Sequence, residues 1–538
     1  MSEYYKVNIF RRKLAVAYND NLRNQSLKKL FGNYLRKFSS ITSIHGVMYL
    51  GEPKRPLFER LFWIIIMSSV AFICGIQVYQ IFFKWMQSQM TVKVRHDKYN
   101  LSEFPYPAIT ICRDAQLQNL EKRNDTNEIS FNEFQETVQL LCNPYEAKKN
   151  RTIKWINSNV LKLILSDHGV SCNEFIEIVQ LRRHKFVSPC PYFQPIITSY
   201  GLCYSLNMVP FHSLLSQGYR NMLSFENHPI HSDIMKHSDI TWSPDKGFKK
   251  NSTSFDIPWK IVEGFSKNSI SLALNFDKNN KKKCSLKGSG YVLILHSPVN
   301  VPNMILPTAY IFRDEALYVS TVVSAWPTSQ GISNWKPRQR KCYFQHEKKL
   351  KYFKIYTENN CDVECRANIS IKKCGCSAFY HPREKDTPFC GKENYGCMES
   401  SSGYSIFDKN FPESFKDECD CLPDCNEVRY EFKVVELYKN NTPTEKKSNK
   451  DSFALSIYFD RSYVISIEKT ALLSFNELLC HTGGFLGLFL GCSIISVFEL
   501  IYFIIRILID EMNQKRLMQS KIDDNSESVV ITDINVDD

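Results

Sequence analysis

The chain has 538 residues, of which 43% are hydrophobic and 23% charged, and its formal net charge is +12. This length allows a sizeable core and more than one domain. Residues 1–60 hold 12 lysines and arginines against 4 acidic residues, and an apolar stretch follows them. A basic excess in that position is typical of the cytoplasmic flank of a membrane helix, so we expect no nucleic acid partner.

The first predicted element is a membrane-spanning helix over residues 61–83, which carry no formal charge. About 20 consecutive apolar residues suffice to cross roughly 30 Å of hydrocarbon. Residues 1–40 are polar and basic and lack the apolar core of a cleaved signal peptide. The first span is therefore expected to act as an uncleaved signal-anchor.

The long region after this span is predicted to mix strands and helices. Residues 104–112, 290–296 and 454–459 are rich in β-branched and aromatic residues, which predicts strands. Residues 349–357 and 361–376 predict helices, and in the second the cysteines at i and i+4 share one helix face. The region is thus expected to be of the α+β type.

Cysteines give an independent indication of the compartment. Of the 19, only Cys74, Cys480 and Cys492 lie in or beside an apolar stretch, and the other 16 fall between the two stretches. An even number on one side indicates a disulfide framework in an oxidising compartment. Zinc is the alternative for closely spaced pairs such as Cys361 and Cys365. Because no histidine pair accompanies them, we expect no metal site.

Asparagine glycosylation motifs in the same region agree with an extracellular location. There are six of them, at Asn100, Asn124, Asn150, Asn251, Asn368 and Asn440. A further match in the basic N-terminal region, at Asn24, shows that the motif alone is not specific.

The second predicted span covers residues 482–505, where Glu499 is the one charged residue. Gly483, Gly487 and Gly491 recur every four residues, a pattern that by itself indicates a close packing face between helices. A carboxylate within a span is costly and normally faces water, which makes Glu499 a candidate pore residue. Two interpretations stay open at this point, a pore and a packing face that carries an acid with another role.

The spacing of the polar residues and the length of the predicted helix both favour the pore. Ser493 and Ser496 precede Glu499 at three-residue intervals, on the cytoplasmic side of the glycines. A single helix over residues 471–505 would be about 50 Å long, more than the hydrocarbon thickness, so it must project, tilt or break. A break at the glycines is tolerated where the freed carbonyls face water or an ion. Such carbonyls can replace part of an ion's hydration shell.

Two spans place both termini on one side of the membrane, and the basic N-terminus assigns that side to the cytoplasm. The expected domains are a cytoplasmic N-terminal region, the first span, an extracellular domain, the second span with its pore, and a cytoplasmic tail. Their bounds are residues 1–60, 61–83, 84–470, 471–505 and 506–538. A multi-pass plasma membrane protein with the lipid bilayer as a partner is therefore predicted.

Six sequence elements occur in an order that is specific to one protein family. They are His45-Gly46, the Pro-Ala-Ile-Thr-Ile-Cys run ending at Cys112, residues 201–207, residues 339–342, the Cys-Asp-Cys-Leu-Pro-Asp-Cys run ending at Cys425, and the glycine-serine second span. In these the chain resembles the degenerin/epithelial sodium channel superfamily, more narrowly its insect pickpocket branch. The resemblance implies a trimeric channel with two transmembrane helices flanking a large disulfide-rich ectodomain.

The family's functional positions can be carried onto matching residues of this chain. The resemblance implies a selectivity filter at Gly491, Cys492 and Ser493. It implies a pore lined by Gly487, Ser496 and Glu499. It also implies a gating position at the outer mouth, Cys480, and a cytoplasmic gating dipeptide, His45 and Gly46.

The resemblance also implies how the extracellular cysteines pair. The implied bridges are Cys112–Cys203, Cys172–Cys190, Cys342–Cys425, Cys361–Cys421, Cys365–Cys419, Cys374–Cys397 and Cys376–Cys390. Cys142 and Cys284 are also expected to belong to the framework, and their pairing stays open.

The expected function is that of a subunit of a sodium-selective, amiloride-sensitive cation channel, homo- or heterotrimeric and gated through its extracellular domain. Its partners would be related subunits, the permeant sodium ion and amiloride-like blockers, with no cofactor. The sequence does not identify an extracellular ligand.

Four alternatives to this interpretation can be named. A trimeric ATP-gated channel also has two spans, but it needs a lysine-rich nucleotide site and lacks the glycine-x-serine filter. A two-span receptor without a pore has no reason to keep Ser493, Ser496 and Glu499 in register. A subunit that conducts only with partner subunits remains an alternative. An enzyme is not expected, because the sequence has no nucleophile elbow, P-loop or His-Glu-x-x-His motif.

Overall fold

The computed structural model consists of two compact units, one formed by Met1–Gln89 with Ala471–Asp538 and the other by Met90–Thr470. The residues it describes are 32–532 except 35, 53–54, 88–89, 114–116, 118–130, 143–153, 168, 182–183, 217–239, 251, 253–255, 262–268, 278–289, 304–305, 313–314, 403–417 and 440–449.

Helices and strands alternate irregularly along the chain, as expected for an α+β protein. The helices are α1 (Val47–Gly51), α2 (Leu57–Met86), α3 (Phe131–Cys142), α4 (Ser158–Asp167), α5 (Cys172–Phe175), α6 (Phe211–Leu214), α7 (Gln330–Ser333), α8 (Pro337–Arg340), α9 (Glu358–Cys374), α10 (Tyr395–Ser402), α11 (Phe475–Leu490) and α12 (Ile494–Thr532). The strands are β1 (Met90–Asn100), β2 (Ala108–Arg113), β3 (Trp155–Ile156), β4 (Ile176–Leu181), β5 (His184–Val187), β6 (Phe193–Thr198), β7 (Gly201–Leu206), β8 (Trp242–Ser243), β9 (Gly247–Phe248), β10 (Ile270–Asp277), β11 (Gly290–His296), β12 (Thr308–Phe312), β13 (Glu315–Trp326), β14 (Phe389–Cys390), β15 (Glu427–Lys439), β16 (Lys450–Phe459) and β17 (Tyr463–Ala471).

The first unit contains the apolar helices. Helix α2 has 30 residues and contains an 18-residue stretch with a mean hydropathy of 2.2, so among the described residues it is the one continuous helix long and apolar enough to cross a membrane. Helices α11 and α12 meet these criteria only as a pair, and they are bent by 71° at the break between them. The segment predicted to form the second span is therefore not one straight helix over residues 471–505. Helix α11 begins at Phe475 and ends at Leu490, and α12 runs from Ile494 to Thr532.

The second unit contains an eight-stranded sheet with the order β1-β17-β13-β16-β10-β4-β5, in which β15 also pairs with β13. Strand β13 runs parallel to both β16 and β17 and antiparallel to β15. The chain leaves α2 shortly before β1 and enters α11 shortly after β17. Strand β1, at one edge of this sheet, and its neighbour β17 are thus the strands that continue into the apolar helices.

A five-stranded sheet with the order β12-β11-β2-β7-β6 supplies much of the core. Its strands β2, β6, β7 and β11 are buried along their whole length. Alternate residues point to opposite faces, and each face packs into a different hydrophobic cluster: Ile109 and Ile111 on one side, Ala108 and Cys112 on the other. Burial on both faces explains why these segments are nearly continuous apolar runs.

Helix α9 is anchored at both ends. The hydroxyl of Thr357 accepts a hydrogen bond from the amide of Asn360 (3.0 Å), and Gly375, at φ +69°, ends the helix in the left-handed conformation. The helix expected over residues 349–357 is wrong: this segment is irregular. The backbone amides of Lys351 and Tyr352 donate instead to the carboxylate of Glu364, so a tertiary contact overrides the local pattern.

Candidate functional site

The break in the second apolar helix lies at Gly491. This residue has φ +67°, and its amide donates to the carbonyl of Gly487 (3.0 Å) while the amide of Cys492 donates to the carbonyl of Leu486 (3.1 Å). Glycine reaches this left-handed conformation without the penalty that other residues incur. The sequence expectation of a break at the glycines is thus met at one of them, Gly491.

The helix restarts through a pair of serines. The hydroxyl of Ser493 accepts from the amide of Ser496 (3.3 Å), and the hydroxyl of Ser496 accepts from the amide of Ser493 (3.0 Å). Reciprocal bonds of this type cap helix N-termini. The three-residue spacing of these serines therefore has a capping explanation that the sequence interpretation missed. A serine three residues after another one, just beyond a glycine, was the available signal.

An N-terminal segment contacts this break. The amide of His45 donates to the carbonyl of Leu490 (2.9 Å), one of the groups that a helix end leaves without an intrahelical partner. The hydroxyls of Ser43 and Ser496 lie 2.6 Å apart. The ring of Phe38 packs edge-on against that of Phe503, with centroids 5.3 Å apart. The residues before the first apolar helix are thereby bonded to both halves of the second.

Close packing requires glycine at two positions here. A Cβ atom on Gly491 would lie 2.6 Å from Cδ2 and 2.7 Å from Nε2 of His45, too close for any real contact. Gly46 has φ +82°, and a Cβ there would overlap the side chain of Met67 in α2. The dipeptide His45-Gly46 and the break at Gly491 therefore form one contact region, which we call the break contact.

The remaining residues singled out in the second span differ in exposure. Cys480 is exposed, and Cys492 is a half-buried free thiol. Ser493 is exposed, whereas Ser496 is only 3% exposed, and its hydroxyl contacts those of Ser43 and Ser493. Oε2 of Glu499 is buried and has no hydrogen-bond partner among the described atoms.

Seven disulfides are present among the described residues of the second unit. They are Cys112–Cys203, Cys172–Cys190, Cys342–Cys425, Cys361–Cys421, Cys365–Cys419, Cys374–Cys397 and Cys376–Cys390. These are the seven pairs that the family resemblance implied. Cys142 closes α3, but its bonding, like that of Cys284, lies outside what the structure describes.

Two of the glycosylation motifs lie on described surface. Asn100 ends β1 and Asn368 lies on α9, and both side chains are exposed. The other four motifs, at Asn124, Asn150, Asn251 and Asn440, fall outside the described residues. Within the described part of the chain, no three histidine, cysteine or acidic side chains are grouped closely enough to hold a metal ion.

Comparison with known proteins places the chain among the ion channels. A family model described as "Amiloride-sensitive sodium channel" matches residues 38–503, most of the chain. The chain therefore belongs to the amiloride-sensitive sodium channel family, in agreement with the resemblance to degenerins and epithelial sodium channels. Family membership supports a multimeric cation channel of the plasma membrane and not an enzyme.

Two relatives match most of the chain and a third matches part of it. Pickpocket protein 28 of Drosophila melanogaster is 26% identical over 502 residues, which are 86% of this chain and 77% of that protein. Sodium channel protein Nach of the same species is 21% identical over 510 residues, 88% of each. Human acid-sensing ion channel 2 is 28% identical over 175 residues, 30% of this chain and 33% of that protein. A cryo-EM structure of a proton-activated chloride channel matches with a TM-score of 0.26 at 7% identity, and covers 83% of this chain and 96% of that one, a similarity too low to define a fold.

Proposed function

We propose that the chain is a subunit of a sodium-selective, amiloride-sensitive cation channel, assembled as a homo- or heterotrimer and gated through its extracellular domain. Both termini lie in the cytoplasm in this proposal, and residues 84–470 are extracellular. The description of the matching family and the name of the Nach relative support sodium as the permeant ion.

The observation that carries the proposal is the helix break at residues 491–493. Gly491 and Cys492 lie outside both half-helices, so their carbonyls are candidates to replace water around a permeating cation. With Ser493 they form the proposed filter. Gly487 and Glu499 would line the pore, and Ser496 would contribute by holding Ser493 rather than by exposed surface.

Two further positions have proposed gating roles. Cys480 is exposed in the outer half of the broken span, where a bulky side chain would hold the pore open. His45 and Gly46 would act from the cytoplasmic side through the break contact, where the His45 amide bonds the carbonyl of Leu490. Movement of this segment would then directly displace the C-terminal end of α11.

Voltage clamp of oocytes that express the full chain tests the proposal. We expect a sodium current that amiloride reduces, and a larger basal current for Cys480→Trp. Cys480→Ser, which keeps the small size of the side chain, is the matched control and should leave the basal current low. If surface labelling shows normal amounts of Cys480→Trp, alone or with related subunits, and no current flows, the channel proposal is wrong.

A further inference from the structure

A small hairpin in the second unit is a common wall of two cavities. Strands β8 and β9 have two residues each, and among the described strands they form a separate two-stranded sheet. One cavity has a volume of about 620 Å³ and the other of about 910 Å³, and Trp242 and Pro244 of the hairpin line both. A two-stranded hairpin is only marginally stable by itself, so contacts with the rest of the unit must fix its position.

The base and the turn of this hairpin are held in different ways. At the base, Trp242 is 3% exposed and packs within a hydrophobic cluster. The amide of Lys249 donates to the carbonyl of Thr241 (2.8 Å), which closes the hairpin there. The turn, residues 243–247, lies beyond this anchor and is attached through the carboxylate of Asp245.

The Asp245 carboxylate accepts one hydrogen bond at each oxygen. Oδ2 accepts from the backbone amide of Gln345 (3.1 Å), and Oδ1 accepts from Nδ2 of Asn426 (3.1 Å). Hydrogen bonds to a charged acceptor are stronger than neutral ones. Both donors lie close in sequence to the buried Cys342–Cys425 bridge, so the turn is attached to a rigid part of the unit.

Asn426 uses both ends of its side-chain amide. While Nδ2 donates to Asp245, Oδ1 accepts from the backbone amide of Thr328 (3.1 Å). The Thr328 hydroxyl also donates to the carbonyl of Cys425 (2.6 Å), which fixes the main chain beside Asn426. Because a backbone amide can only donate, the side-chain oxygen must face Thr328 and the nitrogen must face Asp245.

Thr328 continues this connection to β17. The residues on either side of it bond to one residue of that strand: the amide of Lys469 donates to the carbonyl of Pro327 (2.8 Å), and the amide of Ser329 donates to the carbonyl of Lys469 (2.9 Å). Strand β17 is the element that precedes α11 in the chain. A continuous series of hydrogen bonds and short chain segments thus joins the hairpin turn to the strand before α11.

We propose that Asp245 and Asn426 form a latch that holds hairpin β8–β9 on segment 327–329, so that opening of the latch loosens the end of β17 as well as the hairpin. Both are positioning residues of the extracellular gating apparatus, and this inference rests on the proposed gating through the extracellular domain. Displacement of the hairpin then reaches the strand before α11 through contiguous hydrogen bonds.

Hydrogen exchange of the full chain in detergent, followed by mass spectrometry, tests the latch without any need for conduction. Asp245→Asn keeps the shape of the side chain, but its one oxygen can accept from Gln345 or from Asn426 and not from both. Asn426→Asp loses the donor and places two carboxylates together. We expect each variant to speed exchange about tenfold in the hairpin, because a hydrogen bond to a charged group is lost. Exchange should also rise in residues 327–329 and at the end of β17.

The double variant Asp245→Asn/Asn426→Asp is the decisive comparison. A carboxylate at position 426 can accept from the Thr328 amide, and an amide at position 245 can donate to it while its oxygen accepts from Gln345. All three hydrogen bonds are then kept, one of them in the reversed direction, and exchange should return to the wild-type rate. Asp386→Asn, at an exposed aspartate before β14, is the matched control and should change nothing.

Wild-type exchange in Asp245→Asn, or faster exchange confined to the hairpin, would show that no latch reaches β17 and overturn the proposal. A double variant that does not fold, or that exchanges as fast as Asp245→Asn, also overturns it, even if Asn426→Asp cannot be purified. The basal current should change in both single variants and return in the double variant. A chain without current leaves the exchange result intact, so failure of the proposed function is distinguishable from failure of this inference.

Discussion

Among single residues, Gly491 is constrained twice. Its φ of +67° favours glycine, and the ring of His45 occupies the space that a side chain would need. Non-glycine residues lose about 1–2 kcal/mol in this conformation. We therefore expect Gly491→Ala to destabilise the first unit by at least that amount and to alter gating, as measured by thermal unfolding and by current amplitude.

Gly483 provides the control, since a Cβ there meets nothing within 4 Å and Gly483→Ala should be tolerated. Combining Gly491→Ala with His45→Ala separates the two constraints. The double variant should recover the stability that is lost through overlap with the His45 ring. It should not recover the stability that is lost because residue 491 has a positive φ. Equal stability of Gly491→Ala and Gly483→Ala would contradict the break contact.

Sequence reasoning identified the glycines of the second span but not the contact that uses them. Ser43 and Ser496 are 453 positions apart, and no local pattern in either segment indicates the other. Only the family resemblance singled out His45, and it gave no contact partner. The serine spacing was interpreted as a pore register, whereas hydrogen bonding shows that it also caps a helix.

Among the elements, α9 is tied to segment 419–425 by two neighbouring bridges, Cys361–Cys421 and Cys365–Cys419. Each closes a loop of more than fifty residues, with sequence separations of 60 and 54. A bridge of this kind typically contributes about 2–4 kcal/mol, mainly by restricting the unfolded chain. Because the two bridges start one turn apart on α9, they also fix this helix against segment 419–425.

The double variant Cys365→Ser/Cys419→Ser should lower the free energy of unfolding of the second unit by about 2–4 kcal/mol. Denaturant unfolding of the full chain, followed with and without reductant, gives the difference. Cys480→Ser, at a free and exposed thiol, serves as the control and should change nothing. If the double variant unfolds at the same denaturant concentration as the wild type, the Cys365–Cys419 bridge is not a source of stability.

Strands and helices were predicted correctly where the residue pattern of a segment reflects its burial in the core. The strands expected at residues 290–296 and 454–459 correspond to β11 and part of β16, and the helix expected from Cys361 corresponds to α9. It failed at residues 349–357, where Glu364 takes up the backbone amides. A local pattern does not reveal a carboxylate supplied by another segment.

In the whole molecule, two compact units are joined by the chain at two points, before β1 and after β17. The first unit holds the apolar helices and the break, and the second holds the sheets and the disulfides. Family membership supports a cation channel. The central claim is that cations are selected at the break, at residues 491–493.

The reversal potential with sodium outside and potassium inside tests this claim most directly, measured in the Cys480→Trp background so that gating does not limit the current. Ser493→Asn enlarges the side chain but keeps an oxygen that can cap the helix. We predict that it shifts the sodium-to-potassium permeability ratio toward equality. Ser69→Asn, at an exposed serine of α2, should leave the ratio unchanged. An unaltered ratio in Ser493→Asn, with current present, would contradict the claim.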